Sequence, residues 1–199
     1  MSRAVLTGLE RLAVHNAIRA GLGVKFEIPF LLGGVSLSAS AIVLDIGTGL
    51  GWGTLGLIRL VHPRFVVAAD YDISVLPQAS QYLAARGVKR WVAFVKADAK
   101  SLPFPDAVFD LVLAAYVLHH VMGYSPAISE IGRVTKPGGI FAFIDPVRLS
   151  FMPRRRQLDR PLEIADWSEL VSDLEAAHFQ VERRRGLPFL LYVIARRSE

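Results

Sequence analysis

No cysteine occurs anywhere in the 199 residues. That absence excludes disulfides, a thiolate nucleophile, cysteine-bound zinc and iron–sulfur clusters, and it accords with a reducing compartment. Charge is sparse: 21% of residues are charged against 52% apolar. The balance is more apolar than that of an average globular chain, so a large core can form and a disordered tail is excluded. The length fits one domain, or one domain with a small extension. Also missing is an apolar run long enough to cross a bilayer. The longest uncharged stretch, 111–129, is broken by His119, His120, Gly123 and a Ser125-Pro126 step, and its solid part, Leu111 to Leu118, reads as a strand and the start of a loop. At the N-terminus Arg3, Glu10, Arg11 and Arg19 interrupt the chain before a signal-peptide core forms. A cytoplasmic protein is expected, with side-on membrane contact left open.

Basic side chains outnumber acidic ones only 23 to 18, a net charge of +5. The excess is dispersed, so no nucleic-acid partner is expected. Two arginine triplets stand out, Arg154 to Arg156 and Arg183 to Arg185. They can meet phosphate or an anionic membrane, or simply form a solvated surface among Asp159, Glu163 and Glu182.

What the sequence does contain is alternation. Residues 3–20 carry Val5, Leu9 and Leu12 at helical spacing. After a Pro/Gly/Ser-rich passage, Ala41 to Leu44 form a short apolar strand ending at Asp45, and a glycine-dense turn opens a helix from about Thr54. Phe65 to Ala69 is a second strand ending at Asp70, followed by a helix from about Ser74 to Arg86. Trp91 to Lys96 is a third strand ending near Asp98. Phe109 to Ala114 is a fourth, the helix around Ala127 to Val134 follows, and Pro137-Gly138-Gly139 turns the chain into a fifth, Ile140 to Ile144. Buried Val/Ile/Leu strands alternating with helices imply an α/β fold whose parallel sheet is covered on both faces. Beyond a helix at 164–177, Gln180 to Arg185 and Phe189 to Ala195 are strands joined by Gly186-Leu187-Pro188, a link too short for a crossover, so this pair should be antiparallel.

In such a sheet ligands bind outside the carboxyl ends of the strands, where glycines let the backbone approach them. Asp45-Ile-Gly47-Thr48-Gly49-Leu-Gly51 sits at such an end and points to a nucleotide-like cofactor. The dinucleotide fingerprint does occur, at Gly51, Gly53 and Gly56, but it starts six residues after Asp45, inside the expected helix. Begun at Gly47, its third glycine would fall on Trp52. A phosphate-cradling Gly-Lys-Ser or Gly-Lys-Thr is absent.

A strand ending in an acid followed by Gly47-x-Gly49-x-Gly51 resembles the first motif of the class I S-adenosylmethionine (SAM) methyltransferases. Asp70 stands where that family places its ribose-binding acid, and Asp98-Ala99 where it contacts the adenine amino group. Leu102-Pro-Phe-Pro-Asp106, Phe109-Asp110, Val117-Leu-His-His120 and Glu130-Ile-Gly-Arg-Val-Thr-Lys-Pro-Gly-Gly139 are similar to the methyltransferase type 11 subgroup, which includes quinone-biosynthesis C-methyltransferases and lipid methyltransferases. The resemblance covers 41–146. It implies a doubly wound, seven-stranded, mostly parallel Rossmann-like sheet in the order 3-2-1-4-5-7-6 with one antiparallel strand. It also implies a helical lid at 1–40, a SAM-binding domain at 41–199, and an acceptor pocket completed by 148–163.

The cofactor contacts it implies are Asp45, Gly47, Thr48, Gly49, Gly51, Asp70, Tyr71, Asp98, Ala99 and Ala115. The chemistry of these side chains agrees. An ionised Asp70 can accept hydrogen bonds from both ribose hydroxyls, and Asp98 can accept one from an exocyclic amine. Asp45 can help hold the cofactor's ammonium, directly or through water. Tyr71 can pack on the adenine edge or be an ordinary half-buried aromatic, and Asp72, just ahead of a helix, reads better as a cap than as a ribose contact.

Methyl transfer needs alignment, exclusion of water and an unprotonated nucleophile, but neither a metal nor a covalent intermediate. His119 and His120, after the fourth strand, are the candidate bases for an acceptor that must lose a proton. Tyr116, Tyr124 and His15 are weaker candidates for lining the pocket. The insert Arg148-Leu-Ser-Phe-Met-Pro-Arg-Arg-Arg156 is apolar, then basic, and suggests an apolar or amphiphilic acceptor, lipid-like or quinone-like. The product would be S-adenosylhomocysteine. The alternatives are a SAM-binding module without turnover and, on the glycine pattern, an NAD-dependent oxidoreductase. The oligomeric state is not legible.

Overall fold

A computed structural model describes residues 23–146, 167–187 and 190–199. The expected helix at 3–20, His15, the 148–163 insert and the Arg154 to Arg156 triplet lie outside the described residues. Seven strands form one sheet: β1 (Ile42–Ile46), β2 (Phe65–Asp70), β3 (Val92–Lys96), β4 (Phe109–Ala115), β5 (Thr135–Pro146), β6 (Phe179–Leu187) and β7 (Leu190–Arg197). Their order is β3-β2-β1-β4-β5-β7-β6. The first five are parallel to one another, and β7 runs antiparallel to both β5 and β6. The expected order and the antiparallel hairpin are both present.

Strand alternation divides the core into two layers. Val43, Leu111, Leu113, Ala142 and Ile144 face one side, where they pack against α1 (Ile28–Leu32), α2 (Trp52–Val61) and Leu83 of α3 (Leu76–Ala84). Leu44, Val112, Ala114, Phe141 and Phe143 face the other, against α4 (Ser125–Val134) and α5 (Trp167–Ala176). A residue on one face of a strand is followed by one on the other, so these continuous apolar runs require cover on both sides.

Several boundaries differ from the sequence reading. The strand expected to end at Asp45 continues through Ile46, which pairs with Ala69 and Ala114. Asp45 therefore lies inside β1, on the same face as Val43, beneath α2. α2 starts at Trp52, two residues earlier than expected. Pro137-Gly138-Gly139 does not precede β5 but bulges from it. Phe109 pairs with Thr135 and Leu111 already with Ile140, with the left-handed Gly138 (φ 72°) turning the excess chain outward. Asp72 opens α3 through a local turn, accepting hydrogen bonds from the Ser74 amide and hydroxyl.

Two family-like motifs are structural clamps. The Arg133 guanidinium donates to Glu130, Asp106 and the carbonyls of Leu102 and Phe104, while Glu130 accepts from the Leu102 amide. This network ties the loop after β3 to α4, and it holds the Glu130 carboxyl below its usual range, chiefly through the hydrogen bond from Arg133. Asp110 accepts from the Ile42 amide and from Lys136 at the opposite end of the sheet. The β6 arginines are engaged too: Arg183 and Arg185 donate to carbonyls of the segment Phe30 to Gly33, and Arg184 covers the Trp167 ring. Among the described residues no helix is long and apolar enough to cross a membrane.

Candidate cofactor and acceptor site

The carboxyl rim of the sheet collects the candidate residues in a line set by strand order. Asp98 follows β3, Asp70 ends β2, the glycine turn follows β1, Tyr116 to His120 follow β4, and Asp145 lies near the end of β5. The turn is fixed by backbone bonds from the Thr48 amide to the Ala69 carbonyl and from the Gly51 amide to the Thr48 carbonyl. Gly47 is left-handed at φ 67°, and a Cβ there would run into the Val117 side chain. Only glycine combines that φ with that approach. Gly49 donates its amide to Asp70 Oδ2 at 2.8 Å, and a Cβ on it would meet only the Gly47 carbonyl oxygen, at 4.0 Å, so this part of the turn is loosely packed.

Asp70 is partly buried; its Oδ1 accepts from the Asp72 amide at 2.9 Å. Burial pushes its carboxyl up, with the amides of Gly49 and Asp72 opposing. Each oxygen keeps a lone pair for a diol. Asp98 binds the Lys100 amide through Oδ1, and Ala99 and Ala115 are 7% exposed. Tyr71 and Ile73, which follow Asp70 in the chain, stand 69% and 62% exposed. Large apolar surfaces left open there suit a flat ring. Tyr124, by contrast, is buried in the α4 core layer.

Asp45 is placed differently from its neighbours. It is 1% exposed, accepts from the Thr54 hydroxyl at 2.5 Å, and Thr48 and Thr54 share a further hydrogen bond at 2.9 Å. Gly53 closes over it: a Cβ there would lie 3.1 Å from one carboxylate oxygen. Gly56 likewise admits Ile28 of α1, whose side chain would be 2.9 Å from a Cβ. The out-of-register glycines thus serve helix packing, which removes the basis of the dinucleotide reading.

Burial pushes the Asp45 carboxyl up to about 6, against hydrogen bonds from Thr54 and Thr48 and with the charge of Asp70 adding. The folded value lies above the ordinary 3.8. The associated stability is therefore complete below the ordinary value and is lost as pH rises through the folded one, by about 3 kcal/mol. Asp45→Asn should remove that loss. The stability difference between variant and parent in urea should shift in favour of the variant between about pH 4 and pH 7. A difference constant with pH would contradict this account, whatever its offset.

At the other end of the rim, His119 Nδ1 lies 2.5 Å from Asp145 Oδ1. The His119 side chain is 21% exposed and Asp145 is fully buried. Asp145 also accepts from the Leu118 amide at 3.1 Å and the His119 amide at 3.4 Å. Burial pushes its carboxyl up, with the His119 hydrogen bond and charge opposing. His120 is exposed and its ring lies against that of His119, centroids 3.8 Å apart and tilted by 42°. The two imidazoles are thus unequal: one is braced by a buried carboxylate, the other lies outside it. Sequence reasoning missed Asp145, although its signal was the one used for Asp70, an acid near the carboxyl end of a buried strand.

A sheet of this order, with acids at successive strand ends and a glycine turn between them, defines a nucleoside-cofactor enzyme frame. Residues 44–143 match the family model of a methyltransferase domain. A 98-residue stretch is 44% identical to the ubiquinone/menaquinone biosynthesis C-methyltransferase UbiE of Stutzerimonas stutzeri, covering 49% of this chain and 38% of that protein. The chain therefore spans about two fifths of that relative's length. The uncharacterized methyltransferase YcgJ of Bacillus subtilis is 29% identical over 152 residues, 71% of this chain and 59% of that protein. The structure of a SAM-dependent methyltransferase from Aquifex aeolicus superposes with a TM-score of 0.75 at 23% identity, covering 96% of this chain and 99% of that one. The chain belongs to the methyltransferase-domain family, the type 11 subgroup of the class I SAM-dependent methyltransferases. SAM is that family's cofactor, and the donor set fits it: a half-buried carboxylate for a diol, a second acid for an amine, a loosely packed glycine turn and exposed apolar flanks.

Proposed function

We propose that the chain methylates a small apolar or amphiphilic acceptor, quinone-like or lipid-like, over the ends of β4 and β5. The observation that carries this reading is His119, braced by buried Asp145 at the rim next to the cofactor crevice. Asp70 and Asp98 hold the nucleoside, through the ribose hydroxyls and the adenine amine. Gly47 and Gly49 let the backbone line the crevice. Asp45, Thr48 and Thr54 lock the glycine turn from beneath, Gly51 caps α2, and Tyr71 covers the adenine with Ala99 and Ala115 as small walls. SAM supplies a methyl already activated on a sulfonium, so the protein's own work is alignment, drying and deprotonation.

Asp145 holds the proton of His119 on Nδ1, which leaves the Nε2 lone pair to take a proton from a hydroxyl or carbon acid as the methyl arrives. His120 supports the ring by its tilted contact and takes no part in the proton transfer. The composition of the 148–163 insert, apolar and then basic, suits an amphiphilic acceptor or an anionic membrane surface.

The test is a set of turnover assays with purified protein and SAM against polyprenyl quinols, lipids and small cationic amines, following S-adenosylhomocysteine release. Turnover with a quinol or lipid is expected. His119→Ala should lower it by roughly 10²- to 10⁴-fold, and His120→Ala by far less. Methylation confined to a cationic amine would overturn the acceptor class. No turnover with any acceptor, despite SAM binding, would favour a non-catalytic module.

A further inference from the structure

We propose that Glu27 anchors the cationic amino-acid end of the cofactor, in a pocket walled by Tyr116, Trp52 and Tyr192. The inference deepens the SAM reading above and rests on it. Glu27 immediately precedes α1, which is locked onto α2 where Ile28 fills the space over Gly56. Its Oε1 accepts from the Tyr116 hydroxyl at 2.7 Å. Its Oε2 is shielded from solvent and has no hydrogen-bond partner among the described residues. A buried carboxylate oxygen left in that state is costly, so the arrangement is one that a donor would complete.

The surroundings specify the donor. Tyr116 is held at φ 61°, a left-handed conformation unfavourable for a bulky residue, while its amide donates to the Ile144 carbonyl at 2.7 Å. Its ring lies 5.9 Å from that of Trp52, the first residue of α2. Tyr192 pairs with Ile144 across β5 and β7. Burial pushes the Tyr192 hydroxyl up, and the Glu27 charge adds to the shift, which places the carboxylate within electrostatic reach of that ring too. One carboxylate oxygen among three aromatic side chains recognises a small organic cation better than a neutral donor, through a charge-assisted hydrogen bond and the negative ring faces.

Strand order identifies which cation. A nucleoside held by Asp98 and Asp70 lies over β3 and β2. The rest of an elongated ligand then runs over the glycine turn after β1 and reaches the end of β4, where Tyr116 and Glu27 sit. Asp45, the acid that the sequence suggests for the ammonium, is closed off by Thr54 and by the approach of Gly53. Glu27 Oε2, by contrast, is engaged by no donor among the described residues.

Calorimetry on the whole chain tests this with two ligands that share the nucleoside and thioether. S-adenosylhomocysteine keeps the ammonium, and 5′-methylthioadenosine lacks the amino-acid end. Glu27→Gln should weaken the first by roughly tenfold or more and leave the second as in the parent. Tyr116→Phe, which keeps the ring and frees the carboxylate, should show the same ligand selectivity with a smaller loss. Equal weakening of both ligands would make Glu27 a structural residue, and unchanged affinity for both would assign its charge elsewhere, to an acceptor amine for example. Either result overturns the proposal. A parent chain that binds neither ligand refutes the cofactor reading itself.

Discussion

Asp70→Ala should lower the affinity for S-adenosylhomocysteine by roughly 100-fold or more. The reason is that the carboxylate serves two sides at once. Towards the protein it accepts the amides of Gly49 at 2.8 Å and Asp72 at 2.9 Å, which fixes the glycine turn and the start of the β2–α3 loop. In the proposed complex its remaining lone pairs would accept from a ribose diol. Hydrogen bonds to a charged acceptor contribute about 1.5–3 kcal/mol each, so losing two accounts for that figure. Asp70→Asn retains one good acceptor and should fall between parent and Ala. Calorimetry reads the series directly, and unchanged affinity in the Ala variant would remove the ribose assignment.

Asp145 should give the largest effect on stability and on turnover together. Its carboxylate is fully buried and accepts from His119 Nδ1 and from the Leu118 amide. Removing it in Asp145→Ala leaves these donors buried without an acceptor and opens a gap behind the imidazole. A loss of about 3–5 kcal/mol in urea unfolding is expected. Asp145→Asn separates the two roles. The amide keeps an oxygen for the Leu118 donor, so most of the stability should survive, but its NH₂ group faces Nδ1 and moves the imidazole proton to Nε2. The base is then lost, and kcat should fall by roughly 10²- to 10⁴-fold with little change in SAM affinity. A His119 that is only a packing residue would give a stability change in the Ala variant and no kcat loss in the Asn variant.

These two acids differ in how visible they were. Asp70 could be found because it follows an unbroken apolar strand and precedes a turn, the position where an open parallel sheet binds ligands. The same rule applied to Ile144-Asp145-Pro146 would have found Asp145. The adjacent histidines are conspicuous in the sequence, but no spacing reveals their unequal environments: the partner of His119 is 26 residues away and reaches it only because β4 and β5 are neighbours. Glu27 was less legible still. It precedes the Pro/Gly/Ser-rich approach to the first strand and follows the expected N-terminal helix, in a stretch with no motif, and its partner Tyr116 is 89 residues further on. Asp45 shows the reverse error. One extra residue of strand carried it from the rim to the underside of α2, because the side-chain period of a strand is two and Asp45 shares the face of Val43.

The sequence by itself determined the layered architecture, the parallel sheet with its antiparallel hairpin, the glycine turn and the acids near the strand ends. All of these are local: apolar period, turn chemistry and the residue at a strand's end are written within a few positions of one another. The tertiary structure decided which imidazole is braced, which carboxylate is closed off and which is left with a lone pair to offer, and which charged motif residues merely hold the frame. Those properties depend on burial and on partners brought together by strand order, and the energy of a buried charge is set by what surrounds it in space rather than by its neighbours along the chain.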